Sequence, residues 1–227
     1  MSSSPLILAL DSPDVSRCKE LIEATRQYVG VYKFGLEFFT ANGRDALVVI
    51  LREFPEIRVF LDLKLHDIPN TVGKASSNFA DMRIDFLTVH ASGGPEMIKA
   101  ASTALPNTRI TAVTVLTSLD SEILTSMGMN SSISEIVERW AELAVASGAS
   151  AIVASPLEVS ILRRVLPREI ALITPGIRPA LAKDDQKRTM TPKQALEAGS
   201  DYLVIGRPIT DAPDVRTAAR EIFDSLQ

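Results

Sequence analysis

The chain has 227 residues, 46% of them apolar and 23% charged, the balance of an ordinary globular protein with room for a sizeable core. Twenty-four lysines and arginines against 28 acidic residues give a net charge of −4, which argues against a general nucleic-acid or anionic-membrane surface and favours small-molecule partners. Cys18 is the one cysteine, which excludes an internal disulfide framework and a thiolate metal cluster and fits a reducing, cytoplasmic setting.

The opening MSSSPLILALDSPD holds only a short apolar run, Leu6 to Leu10, with no basic segment before it. It reads as a first strand, too short for a signal peptide or membrane span. Helical spacing follows over 13–29, with Ser12 as a capping hydroxyl ahead of Pro13. VYKFG from Val31 is a second strand, a helix is predicted over 45–53, and VFLDLKL from Val59 is a third strand. FLTVH from Phe86 precedes a helix over 95–104, and ITAVTVL from Ile110 makes a fifth strand. The interval after Leu116 is long, and a short extra helix is placed there over 122–127, before a helix over 133–147. AIVAS from Ala151, a helix over 157–166, ALITPG from Ala171, a capped helix start at Thr191 (TPKQ), YLVIG from Tyr202 and a helix over 213–226 complete the pattern. Gly148 and Gly199 suit helix ends.

Strand and helix therefore alternate throughout, at spacings of one βαβ unit, and no connecting segment has the composition of a linker. Eight such units predict a (β/α)8 TIM barrel forming one domain over 1–227; an open doubly wound sheet is the alternative.

In a barrel, reacting groups sit at the C-terminal ends of the strands. Polar residues gather there: Asp11 after the first run, Lys33 in the second, Asp62 and Lys64 in the third, His90, Thr117 and Ser155 at the next three, Arg178 after the seventh and Arg207 after the eighth. Within FLDLKL, alternation puts Phe60, Asp62 and Lys64 on one face and Leu61, Leu63 and Leu65 on the other. The leucines are expected to pack on helices while the charges face the barrel axis. Buried charges need partners, and Asp62 and Asp67 would keep Lys64 an ammonium acid, not a Schiff-base nucleophile. No metal-binding spacing is present. The polar stretch from Arg178 to Arg188 suits a lid, and Gly206 with Arg207 after the eighth strand suits a phosphate grip.

FLDLKLHDIPNTV, VHASGG from Val89, TVLTS from Thr114, TPGIRP from Thr174, DDQKR from Asp184 and VIGRP from Val204 occur in one order across the chain. In this the sequence resembles the orotidine 5′-monophosphate decarboxylases. The resemblance implies conversion of orotidine 5′-monophosphate to UMP and CO2 without metal or organic cofactor, by a homodimeric enzyme. It implies Lys64 as proton donor to C6, Asp62 beside the substrate carboxylate, and Asp67 supplied across the dimer interface. Thr71 from the same partner segment would contact the ribose, as would Asp11, with Lys33 joining the charged network. Thr117 would meet the pyrimidine edge, Gln186 would link base and phosphate, and Arg178, Gly206 and Arg207 would serve the lid and phosphate. Two other functions fit the barrel: a metal-dependent sugar-phosphate decarboxylase or epimerase, and a nucleotide-phosphate sensor without turnover. The length leaves no room for a second full enzyme domain, so a monofunctional chain is expected.

Overall fold

Eight apolar runs become eight strands because each is covered on both faces, as parallel strands joined by helices must be. The computed structural model describes residues 4–178 and 190–226. The strands are β1 (Leu6–Leu10), β2 (Val31–Gly35), β3 (Val59–Leu65), β4 (Phe86–His90), β5 (Arg109–Val113), β6 (Ala151–Val153), β7 (Ala171–Thr174) and β8 (Tyr202–Ile205). Each pairs in parallel with the next, and β8 pairs back onto β1, so the sheet is a closed barrel and not the open alternative. β1 and β2 are buried at every position.

Alternation divides the core in two. Ile7, Val31, Phe60, Phe86, Ala151, Ala171 and Ile173 pack inside the barrel, with the Phe86 ring set edge-on to Phe60 and Tyr202. A larger apolar layer, including Leu8, Leu10, Leu61, Leu63, Leu87 and Ile152, joins the outside of the sheet to the helices.

Those helices are α1 (Val15–Thr25), α2 (Leu36–Glu53), α3 (Pro69–Ser77), α4 (Pro95–Ala104), α5 (Ser121–Ser126), α6 (Ile133–Ala146), α7 (Val159–Val165), α8 (Pro192–Ala198), α9 (Arg207–Thr210) and α10 (Val215–Asp224). Sequence signals set several of their ends. Thr191 and Gln194 form a reciprocal capping box at α8, which stops at Gly199 in a left-handed conformation. Ser132 and Glu135 form another at α6.

Three local expectations are corrected. The cap of α1 is Asp14, whose carboxylate accepts from Ser16 N–H, while Ser12 accepts from Asp14 N–H. α2 starts directly after β2 rather than at residue 45, with a kink at Gly43 where φ is +68°. α3 was not expected at all: PNTVGKASS has little apolar periodicity, and only Val72 and Ser76 are buried. Its packing rests on small side chains, and a Cβ added at Gly73 would lie 3.4 Å from that of Ala100 on α4. Among the described residues no helix is long and apolar enough to cross a membrane.

Candidate active site

Parallel strands deliver their last residues to one mouth of the barrel, and the first three bring a continuous ion-pair chain there. Asp11 directly follows β1 and accepts from Lys33 Nζ of β2 at 2.8 Å. Lys33 Nζ lies 3.6 Å from Asp62 Oδ2 of β3, and Lys64 Nζ donates to both Asp62 oxygens at 2.8 and 2.9 Å. Register explains the space for this chain. Asp62 is opposite Gly35 on β2, and a Cβ at that glycine would stand only 3.0 Å from Asp11 Oδ1 and 3.1 Å from Lys33 Nζ.

The expected alternation along β3 holds for its direction: Leu61 and Leu63 are buried in the helix-side layer, Leu65 packs against it, and Asp62 and Lys64 face the mouth. The backbone that achieves this is irregular. Lys64 is the one non-glycine residue with positive φ among the described residues, at +49°, and the pairing register with β4 shifts between Leu61 and Leu65. Such a conformation is disfavoured for a side chain with a Cβ, and it recurs where structure holds a functional group in place.

Asp62 is buried, which by itself would raise its carboxyl. The ammonium groups of Lys33 and Lys64, with hydrogen bonds from Lys64 and Thr88, outweigh that and hold it below the usual carboxylate range. The centre is therefore a buried Asp62 carboxylate held between the Lys33 and Lys64 side chains, with Asp11 at its outer end.

Beside it opens a cleft of about 200 Å³. Lys33, Asp62 and Lys64 form its charged side, Thr117 and Ser155 its polar positions, and Phe60, Val113, Val115, Val153 and Val204 its apolar walls. Apolar walls and a few fixed polar groups suit a planar heterocycle next to a charged centre.

The other candidates divide. Gly206 caps the first turn of α9, and Arg207 begins that turn, exposed, at the end of β8. Arg178 is mostly buried after β7, donating to Ile177 O, while its N–H bonds Met190 O and draws the ends of the β7–α8 connection together. Gln186 falls outside the described residues. Asp67 and Thr71 are exposed and do not line the cleft of their own chain; Asp67 accepts from Ile68 N–H at 2.6 Å. The structure thus brings together Asp11, Lys33, Asp62, Lys64 and Thr117, but not Asp67.

Ser155, one of the polar strand-end residues, also lines the cleft, and sequence reading passed over two contributors: Gly35 clears space for the ion pairs, and Thr88 is hydrogen-bonded to both Asp62 and the Lys64 backbone. The inward position of Thr88 on FLTVH was the signal available for it. Close by, the His66 and His90 rings lie 5.4 Å apart, and burial, then the His66 and Lys64 charges, push the His90 imidazole pKa down. Eight large apolar side chains are exposed among the described residues. Six of them, Leu36, Ile68, Leu116, Ile123, Met127 and Leu157, follow β2, β3, β5 or β6 at the same end as the cleft.

A family model described as orotidine 5′-phosphate decarboxylase / HUMPS family matches residues 4–222. The chain is 48% identical over 226 residues to a Thermobifida fusca protein named orotidine 5′-phosphate decarboxylase, covering 99% of this chain and 97% of that one. It is 46% identical over 233 residues to a protein of the same name from Moorella thermoacetica, covering 98% and 92%. Among solved structures, orotidine 5′-phosphate decarboxylase from Lactobacillus acidophilus superposes with a TM-score of 0.87 at 35% identity over 99% of both chains. With its closed barrel and a match over nearly its whole length, the chain belongs to the orotidine 5′-phosphate decarboxylase / HUMPS family.

Proposed function

We propose that this protein decarboxylates orotidine 5′-monophosphate to UMP and CO2, the last step of de novo UMP synthesis, in the cytoplasm and without a metal or organic cofactor. The observation that carries the reading is the Asp11–Lys33–Asp62–Lys64 chain of ion pairs beside an apolar-walled cleft. Identity of 40–48% to eight full-length relatives bearing the decarboxylase name supports the same choice within the broader family.

The chemical difficulty is an electron pair left at C6 of a pyrimidine with no adjacent electron sink. In the proposed step the C6–carboxylate bond breaks, CO2 departs, and the electron pair at C6 takes a proton from Lys64 Nζ. Solvent then reprotonates the lysine, so each turnover consumes one proton. Fixed charges lower such a barrier because they need no reorganisation as the new charge develops. Asp62 fits this role by gripping the ammonium with both oxygens, and its place beside the substrate carboxylate would add repulsion that CO2 release relieves.

The remaining assignments follow the motif positions. Asp11 and Lys33 are read as ribose contacts, Thr117 as a pyrimidine contact and Gln186 as the link from base to phosphate. Arg178, Gly206 and Arg207 are read as the lid hinge and phosphate grip, where remote binding energy helps assemble the reactive arrangement. Asp67 and Thr71 are assigned to the neighbouring subunit's site in a homodimer. Their exposure, and the clustering of exposed apolar side chains around the same mouth, support that assembly.

The test is direct. Folded protein dialysed against EDTA should convert orotidine 5′-monophosphate with loss of its ultraviolet absorbance, giving one UMP and one CO2 per substrate. Absence of UMP would overturn the reading. Turnover of a sugar phosphate restored by a divalent ion would favour the metal-dependent reading, which the position of Lys33 and Lys64 around Asp62 disfavours.

A further inference from the structure

We propose that Thr88 is a positioning residue for Lys64, its single hydroxyl fixing both the left-handed backbone at Lys64 and the Asp62 carboxylate that grips the ammonium. The inference rests on the reading of Lys64 as proton donor.

Pairing between β3 and β4 runs Phe60 with Phe86 and Leu61 with Leu87, then resumes at Leu65 with Val89. From Leu61 to Leu65 the chain advances four residues on β3, while from Leu87 to Val89 it advances two on β4. Three residues, Asp62, Leu63 and Lys64, therefore stand against Thr88 alone. A bulge of this kind takes backbone groups out of the ladder, and an N–H turned away from water needs another acceptor. Thr88 Oγ1 supplies it, accepting from Lys64 N–H at 2.8 Å, and donates its own proton to Asp62 Oδ1 at 3.0 Å.

A hydroxyl is the smallest group that can accept and donate at once, and Thr88 is fully buried, so water is poorly placed to replace it. Lys64, with φ at +49°, has no glycine-like freedom of its own. The hydrogen bond to its N–H holds that conformation, while the second bond orients the carboxylate that receives Nζ. Main chain and side chain of the proton donor are thus both referred to one atom of β4.

The experiment compares Thr88→Val, which keeps shape and loses the hydroxyl, with Thr88→Ser, which keeps the hydroxyl, by kcat, KM, UMP affinity and thermal melting. Misplacing a reacting group by about 1 Å costs on the order of 100-fold in rate, so Thr88→Val should lose roughly that factor in kcat. KM and UMP affinity should stay within about threefold, and Thr88→Ser should retain most of the wild-type kcat. Wild-type kcat in folded Thr88→Val, or equal losses in both variants, would overturn the role. If Thr88→Val does not fold, Thr88→Ala takes its place in the same comparison. Wild-type protein without turnover would count against the decarboxylase reading alone. A crystal structure of the Val variant then decides: Lys64 leaving positive φ, with Nζ drawn off Asp62, supports the role, and an unchanged bulge overturns it.

Discussion

Asp62→Asn keeps the shape of the buried group and removes its charge. In the folded protein that carboxylate meets Lys64 Nζ at 2.8 and 2.9 Å, Lys33 Nζ at 3.6 Å and the Thr88 hydroxyl at 3.0 Å. Breaking one partner of a buried ion pair costs about 3–5 kcal/mol. Here Lys33 keeps Asp11, and the Lys64 side chain is 30% exposed, so water recovers part of the loss. The expected destabilisation is about 1–3 kcal/mol near neutral pH. Its pH dependence has a definite sign. The folded pKa of Asp62 lies below the ordinary 3.8, so the contribution is fully present above 3.8 and is lost as pH falls through the folded value. Urea midpoints for wild type and variant should therefore differ by a constant amount from about pH 7 to about pH 5 and converge in stronger acid. A variant as stable as wild type at neutral pH, or a gap that persists unchanged in acid, would refute the electrostatic reasoning.

Phe86→Ala removes a fully buried ring that meets Phe60 and Tyr202 edge-on inside the barrel, with the Arg58 and Arg109 guanidinium groups 5.6 and 5.8 Å from its centroid. It should cost about 3–5 kcal/mol in chemical denaturation and leave kcat of the folded fraction close to wild type, because Phe86 starts β4 at the end away from the cleft. Lys64→Ala and Asp67→Ala should each be inactive, yet mixing them should restore activity if Asp67 completes the neighbour's site. In a two-fold dimer each mixed pair regains one intact site, so random exchange of equal amounts should give roughly a quarter of wild-type activity. No recovery in demonstrated heterodimers would place Asp67 in its own subunit's chemistry.

Most of the barrel was legible because burial on both faces of a parallel strand writes the same short apolar run eight times. LILAL, VYKFG, VFLDLKL and FLTVH coincide with β1 to β4 residue for residue. The helices were legible where periodicity or caps carried them, as at Thr191, and illegible at α3, where small residues rather than an apolar stripe make the contact. ITAVTVL was too long: β5 ends at Val113, and the buried residues beyond it, Thr114 and Val115, belong to the loop at the cleft mouth. For the site, alternation correctly turned Asp62 and Lys64 towards one mouth but could not show the bulge that places them. A positive φ at a lysine leaves no trace in composition, and Gly35 and Thr88 matter through register with neighbouring strands. Asp67 looked like a partner of Lys64 by sequence proximity, whereas the chain turns at Ile68 and leaves it exposed.

The most direct measurement follows the proton. Orotidine 5′-monophosphate supplied to the protein in deuterated water should yield UMP carrying deuterium at C6, one per CO2 released, and Lys64→Ala should release no CO2 while still binding UMP. Folded Lys64→Ala that decarboxylates at the wild-type rate would contradict the assignment of the proton donor, and with it the role given to the ion-pair chain around Asp62.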